Sequence, residues 1–263
     1  MSYMLDEEVA RKVLTTVDAG LVSGMGNPVA GHMCVEAAVC FALGQEHGDR
    51  PVCVGSAVRG YKIAINDARW SSNDARAKGL RRVAIAQLGS DKINQDQFSF
   101  YVIVEIVKRI LPIALRAAAS RNPKHAEVIL ATIPACEAVT DLKSARAAAK
   151  AARAPAAAAD AAAAAAAAAA AYADAYAAAD AAADAAAAAA ADAAAAAAAA
   201  VYAHAAADAA AAAAAAAYAD AAADAAAAAA RDKVLSLAAE IAVEALQEQN
   251  CEGCQWLWLT EIA

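Results

Sequence analysis

Glycine and proline are absent from residues 157–230, which consist almost entirely of alanine. The few larger residues of this alanine-rich tract (157–230) are mainly aspartate and tyrosine, and from Asp160 to Asp224 most of them stand at multiples of four. Because the two residues that most often interrupt helices are missing, the tract has a high helix propensity. It also carries almost no reactive side chains, which is typical of a structural scaffold.

The four-residue spacing predicts how the tract folds. Four residues of an α-helix advance 400°, so each marked residue is displaced by about 40° from the one before it, or roughly 640° in all. One straight helix would therefore carry aspartate and tyrosine around its whole circumference. We expect several shorter, antiparallel helices that pack through alanine faces, with breaks beside Asp192 and Asp208, because aspartate is the only good capping residue there.

Aromatic residues are also scarce, at 5% of the chain. A conventional core is therefore expected mainly within residues 1–140, where Ile, Leu, Val and Phe gather. The first residues lack the basic and apolar regions of a secretory signal peptide. The longest stretch of the tract without aspartate, 193–207, contains His204 and is shorter than the about 20 apolar residues of a membrane span. Six cysteines without a dense framework indicate reduced thiols. These features predict a cytoplasmic protein without a membrane partner.

Several families of motif are missing as well. There is no Walker loop, dinucleotide fingerprint, HExxH or G-x-S-x-G sequence. No segment interleaves basic residues with stacking aromatics, as proteins that bind single-stranded nucleic acid do. We therefore expect neither a cofactor nor a nucleic-acid partner. The net charge of −7 is unevenly distributed: residues 1–155 hold 20 basic and 15 acidic residues, and residues 156–263 hold 2 and 14. The two halves are expected to attract each other, within one chain or between chains.

Apolar periodicity and capping residues predict an all-α fold. The candidate N-caps are Asp6, Ser56, either Ser72 or Asn73, and either Thr140 or Asp141. The expected helices cover residues 7–18, 33–43, 57–68, 74–88, 97–119, 123–134 and 141–153, followed by an amphipathic helix from Val234 to Leu246.

Two segments of the chain are rich in bulky apolar residues. The run from Phe98 to Val104 has the composition of a strand, but the three- and four-residue spacing from Tyr101 to Leu115 favours one long helix, kinked near Pro112. The bulky Trp256-Leu-Trp-Leu sequence is expected to dock on the helices. These predictions divide the chain into three domains: an N-terminal helical domain (1–140), the alanine-rich helices (141–230) and a C-terminal amphipathic helix with a Trp-rich tail (231–263).

Cys34 is a candidate nucleophile. A glycine-rich loop precedes it, and the expected helix places it in the first turn, where free amides and the helix dipole lower the pKa of a thiol. His32 lies two residues away and is a candidate base. The alternative is that Cys34 only packs at a helix start, since no residue is evident that would orient His32.

Metal binding is a further hypothesis. The residues His32, Cys34, Cys40, His47, Asp49 and Cys53 include the types of ligand that zinc prefers, but their spacings match no standard zinc motif. Cys251-Glu-Gly-Cys254 is a CxxC pair, which suits a metal or a redox reaction but is weak as a single pair. We therefore predict no metal, with Cys251 and Cys254 as the remaining candidates for one. The alternative is that they are two structural thiols after a helix end.

Three segments of the N-terminal region, Met33–Cys40, His47–Val54 and Ile65–Asp67, resemble a group of uncharacterised bacterial and bacteriophage proteins. These proteins carry C-V-x-E-A-V, H-x-D-x-P-x-C-V and N-D segments and an alanine-rich C-terminal region. The resemblance covers about residues 25–120 and the style of the tract, where this chain has Tyr and Asp instead of Trp. It implies no mechanism. It does imply one cluster, either a binding site or a polar network within a helical domain, formed by Cys34, Glu36, His47, Asp49, Cys53, Asn66 and Asp67.

Two functions follow from these patterns. The first is a non-catalytic helical scaffold or interaction protein that binds another protein or self-associates as a homo-oligomer, because alanine faces pair between chains as easily as within one. The alternative is a module that sequesters a small ligand, or a cysteine-dependent enzyme or metal site, built around Cys34, His47, Asp49 and Cys53 in a phage or mobile-element setting. An ice-binding helix is a weaker third hypothesis, since the tract lacks regularly spaced threonine.

Overall fold

The computed structural model describes residues 4–121, 123, 125–156 and 221–261, and within these ranges the fold is all-α, as predicted. The α-helices are α1 (Glu7–Asp18), α2 (Val35–Ala42), α3 (Ser56–Asp67), α4 (Asn73–Ala86), α5 (Gln95–Glu105), α6 (Leu111–Arg121), α7 (Ala126–Leu130), α8 (Ile133–Glu137), α9 (Leu142–Ala156) and α10 (Ala221–Glu248). A π-helical turn (Ile106–Ile110) joins α5 to α6, and 3₁₀ turns cover Ser90–Lys92 and Glu252–Thr260.

Three of the side-chain caps lie at candidate capping residues of the sequence, whereas Ser56 is the first residue of α3, which has no side-chain cap. Asp6 Oδ1 accepts a hydrogen bond from the Val9 amide at 2.9 Å, and Ser72 Oγ accepts one from the Ala75 amide at 3.0 Å. Asp141 Oδ1 accepts one from the Ser144 amide at 2.7 Å. Each cap satisfies an amide that the first helical turn leaves without a backbone partner.

The long helix expected over residues 97–119 is present but interrupted. Its break is the π-helical turn Ile106–Ile110, which ends two residues before Pro112. Proline has no amide hydrogen, and its ring clashes with the carbonyl four residues earlier. A π-helical turn is a common place for a helix to bend, and here the apolar side chains of Ile106 and Ile110 stay buried in it.

The prediction of a single helix over residues 123–134 is wrong. Two short helices occupy this region, with Pro134 in the first turn of the second, α8. Because Pro134 lacks an amide hydrogen, it cannot continue the hydrogen-bond ladder of α7, but it fits the first turn of a new helix.

One hydrophobic core runs from α1 to the C-terminal 3₁₀ turn. Its centre is α4, which packs against α1, α10 and that turn. Trp256, Leu257 and Leu259 are buried, which confirms that the Trp-rich tail docks on the helices. The C-terminal helix and tail therefore share a core with the N-terminal helices.

The opposite charges of the two halves meet inside the chain. Arg82 pairs with Glu240 at 3.0 Å, Lys92 pairs with Glu252 at 2.8 Å, and Arg109 pairs with Glu244. Each pair joins a basic residue of the first half to an acidic residue of α10 or the tail. The predicted attraction between the basic and acidic halves therefore occurs within one chain.

Alanine residues pack closely in the helix that precedes the tract. In α9, which leads into it, Ala145, Ala148, Ala149 and Ala152 are all buried. The expected breaks beside Asp192 and Asp208, and the antiparallel helices between them, lie outside the described residues. No helix that the structure describes has the length and apolar character needed to cross a bilayer.

Candidate functional site

A cavity of about 50 Å³ lies where the start of α2, the end of α3 and two loops meet. The loops are 19–34, between α1 and α2, and 43–55, between α2 and α3. Five of the seven residues that were expected to form a cluster line this cavity: Cys34, Glu36, Asp49, Asn66 and Asp67. The rest of its wall consists of Gly24, Met25, Val35 and Ile63.

Cys34 caps α2 and is buried. Its Sγ accepts a hydrogen bond from the Ala37 amide at 3.4 Å. Burial raises the pKa of the Cys34 thiol and outweighs the opposing effect of that amide, contrary to the lowering expected at a helix start. His32 is exposed in a turn of loop 19–34, and no hydrogen bond joins its ring to Cys34 among the described residues. In the described part of the chain, no hydrogen bond therefore supports His32 as a base for this thiol.

A buried ion pair lies beside the cavity. Lys62 Nζ is 2.9 Å from Glu36 Oε1, and the two side chains are only 1% and 0% exposed. Lys62 also donates a hydrogen bond to the side-chain oxygen of the fully buried Gln87. Burial raises the pKa of Glu36 and lowers that of Lys62, and the attraction between the two charges opposes both shifts.

The second oxygen of Glu36 is different. Both oxygens of Glu36 are buried and neither accepts a hydrogen bond within the described part of the chain, but Oε1 has the ion-pair contact with Lys62 Nζ at 2.9 Å. A buried polar atom without a partner is costly, and in native proteins such atoms are usually satisfied by protein, water or a ligand. Because Glu36 lines the cavity, Oε2 marks a position for a hydrogen-bond donor.

Asn66 and Asp67 hold the wall of the cavity in place. Asn66 Oδ1 accepts from the Val35 amide at 3.3 Å, and its Nδ2 donates to the Val22 carbonyl at 2.9 Å. Asp67 Oδ1 accepts from the Gly24 amide at 2.7 Å. These bonds fasten loop 19–34 to the end of α3 and thereby shape the cavity.

The remaining two predicted cluster residues lie outside the cavity. His47 Nε2 lies 3.0 Å from the Gly26 carbonyl oxygen. Because a carbonyl can only accept a hydrogen bond, Nε2 is the donor and carries a proton. This bond joins loop 43–55 to loop 19–34. Together with Cys40 and Asp49, His47 also lines a wider surface groove on loop 43–55. Cys53 is fully buried elsewhere, near the 3₁₀ turn Ser90–Lys92, where its carbonyl accepts from the Asp91 amide at 3.3 Å.

The CxxC pair packs against the end of α4. Cys251 Sγ donates to the Leu88 carbonyl at 3.4 Å, and Cys254 Sγ points to the Ala86 carbonyl at 3.9 Å. The Gly253 amide also donates to Leu88, at 2.7 Å. Burial raises the pKa of Cys251 to about 12 and that of Cys254 to about 11. These contacts satisfy carbonyls that the end of a helix leaves free.

Metal ligands do not converge in the described ranges, where no group of three or more His, Cys, Asp or Glu side chains is placed to hold an ion. The candidates Cys251 and Cys254 thus have no third ligand among these residues. All six cysteines are free thiols.

Sequence reasoning missed Lys62 and Gln87. A signal for Lys62 was available: it follows Val58 by four residues and precedes Ile65 by three, so all three lie on the apolar face of α3. A lysine on such a face indicates a buried partner of opposite charge, and here that partner is Glu36.

Comparison with protein-family models, with curated proteins and with solved structures finds no match for this chain. The resemblance suggested by its three N-terminal segments therefore remains a prediction.

Proposed function

We propose that this protein is a non-catalytic binding protein whose N-terminal helices take up a small ligand in the cavity beside Glu36. The observation that carries the proposal is the convergence of Cys34, Glu36, Asp49, Asn66 and Asp67 on that one cavity. The raised pKa of the Cys34 thiol favours binding over nucleophilic catalysis, because the protonated thiol is a poor nucleophile.

The test is to look for a ligand directly and to block the cavity without changing its charge. Native mass spectrometry of gently purified protein identifies any ligand that it retains, and a thermal-shift screen of small metabolites identifies others. Ile63→Phe enlarges an apolar side chain of the cavity wall and should abolish every such shift. As a control, Ile113→Phe enlarges an exposed isoleucine on α6 and should leave the shifts unchanged. Ligands that still bind to Ile63→Phe would contradict the proposal.

A second function, a self-associating helical scaffold, is favoured by the alanine face of α9. Ala145, Ala148, Ala149 and Ala152 are buried there, so small side chains do allow close helix packing in this protein. The same kind of surface in the tract would pair with a second chain. Light scattering after size-exclusion chromatography should give the mass of an oligomer for the intact chain, and the mass of a monomer when a Gly/Ser linker replaces residues 157–220. A monomeric intact chain would defeat this function and leave the binding function untouched.

A further inference from the structure

The charge on the wall of the cavity indicates which class of ligand it takes. Glu36 and Asp49 both line the cavity, and Asp49 is near enough that its negative charge raises the pKa of Glu36. Lys62 Nζ forms an ion pair with Glu36 Oε1, but neither oxygen accepts a hydrogen bond in the described part of the chain, and this leaves Oε2 without a donor. A cation placed between the two carboxylates would remove their repulsion and satisfy that oxygen.

The other charges around the cavity are already engaged or lie further away. Asp67 Oδ1 accepts from Gly24 and also from Asn66 Nδ2 at 2.9 Å, and its charge interacts with Arg76. Arg59 acts on Glu36 only through a weaker electrostatic interaction than Lys62 does. Asp49 Oδ1 has a long ion-pair contact of 3.9 Å with the exposed Arg50. The acceptor capacity that remains in the cavity is therefore concentrated on Glu36 Oε2 and Asp49.

Size and shape narrow the ligand further. One water molecule needs roughly 10–15 Å³ of such space, so a cavity of about 50 Å³ holds a group of only a few heavy atoms. Met25, Val35 and Ile63 give it an apolar side suited to methylene groups. Met25 is 47% exposed, so this side of the cavity lies at the protein surface.

We propose that the cavity binds an ammonium-type cation, either the ammonium ion or the head group of a short primary alkylamine, with N–H groups donating to Glu36 Oε2 and to Asp49. This inference rests on the binding function proposed above and specifies its ligand. Calcium and magnesium fit less well, because they require several oxygen ligands and the described residues offer no group of three or more carboxylate, thiol or imidazole ligands.

The experiment compares cations of equal charge that differ in their N–H groups. Isothermal titration calorimetry and thermal melting are run with ammonium, methylammonium and tetramethylammonium chlorides, against sodium chloride at equal ionic strength. We expect ammonium and methylammonium to bind and to raise the melting temperature. Tetramethylammonium, which has no N–H group and is larger, should not bind. Equal responses to all salts, or a response to magnesium or calcium without one to the amines, would overturn the inference.

Two matched variants locate the binding. Asp49→Asn keeps the shape of a half-buried side chain and removes its charge, so it should weaken methylammonium binding about tenfold or more. Asp96→Asn makes the same change at an exposed position in the first turn of α5, away from the cavity, and should leave affinity unchanged. Equal effects of the two variants would show that methylammonium does not bind here.

The outcomes also separate this inference from the binding function. A neutral or anionic ligand that binds to the wild type and is excluded by Ile63→Phe would retain the binding function and reject the cation. Absence of any ligand from the screen, together with no response to the amines, would reject both.

Discussion

At the scale of single residues, the least expected feature is a complete ion pair inside the core. Lys62 and Glu36 are both buried, and Gln87 accepts a further hydrogen bond from the lysine. Removing two charges from water costs several kcal/mol per ion, which the pair and its hydrogen bonds offset only while both partners are present. The arrangement therefore ties α2, α3 and the end of α4 to one another.

Glu36→Gln should lower the free energy of unfolding by about 3–5 kcal/mol, because it leaves the charge of Lys62 buried without its counter-ion. Urea denaturation followed by circular dichroism measures the change. The double variant Glu36→Gln/Lys62→Met removes both charges and should recover most of the loss. Glu46→Gln, at an exposed position of loop 43–55, is the control and should have no effect. A double variant no more stable than Glu36→Gln would contradict this account.

The thiols give a second prediction at this scale. Burial raises the pKa of Cys40, Cys53 and Cys136 to about 11 from an ordinary value of 9.0. A thiol whose pKa is higher in the folded state contributes stability that is fully present below its pKa in the unfolded state. This stability is lost as the pH rises through its pKa in the folded state. We therefore expect the midpoint of urea unfolding to fall between pH 9 and pH 11.

The same shifts predict slow labelling of the folded protein by iodoacetamide at pH 8, and rapid labelling of all six cysteines in denaturant. Peptide mass mapping identifies the sites. Fast, stoichiometric labelling of Cys34 in the folded protein would contradict the assignment of this residue as a buried cap and would restore the hypothesis of a nucleophile.

At the scale of elements, the C-terminal 3₁₀ turn acts as the cap of α4. The Gly253 backbone lies so close to this helix that a Cβ atom would meet the Ile85 carbonyl oxygen at 2.2 Å and the Leu88 nitrogen at 2.8 Å. Both contacts are with backbone atoms, which cannot move aside as a flexible side chain can. In this fold, the CxxC spacing places two thiols and one glycine against a helix end.

Gly253→Ala should loosen the tail and lower the free energy of unfolding by about 1–3 kcal/mol, the usual cost of overpacking. Tryptophan fluorescence should shift to longer wavelength as Trp256 becomes more exposed. Gly48→Ala is the matched control, because its Cβ would meet nothing closer than 3.9 Å and should be tolerated. Equal stability of the two variants would show that the tail is not tightly docked.

At the scale of the whole molecule, the alanine-rich tract separates two parts of one core. Leu235, Ile241 and Leu246 of α10 are fully buried among the N-terminal helices. The ion pairs of Arg82, Lys92 and Arg109 cross the same interface, although partly exposed pairs of this kind each contribute only about 0–1 kcal/mol. The apolar contacts of α10 therefore account for most of the attachment.

A fragment that ends at residue 156 should consequently fail to fold cooperatively, since it exposes the surface that α10 and the tail cover. The variant in which a Gly/Ser linker replaces residues 157–220 should fold, because the described core lies within residues 10–152 and 234–259. Thermal unfolding by circular dichroism and the dispersion of amide NMR signals distinguish the two. A cooperative transition of the 1–156 fragment at the temperature of the linker variant would contradict this prediction.

Local patterns of the sequence determined the helices and several of their ends. Asp6, Ser72 and Asp141 cap helices because their side chains satisfy nearby amides, and such bonds depend only on residues three positions away. Composition placed only the N-terminal part of the apolar core, because buried residues of α9, α10 and the C-terminal tail belong to the same core. The three N-terminal segments identified five residues of the cavity wall. Pro134 is the exception, because it permits either the end of one helix or the start of another.

Only the tertiary structure decided the contacts between distant residues. How the helices lie against one another determines three features: Lys62 pairs with Glu36, Cys53 lies away from the cavity, and Cys251 and Cys254 dock on α4. The same is true of thiol chemistry: a helix start lowers the pKa of a cysteine in water, but the packing around Cys34 buries it and reverses the sign. A helix cap joins residues that are close in the sequence and can therefore be predicted from it, whereas burial depends on the packing of the whole core.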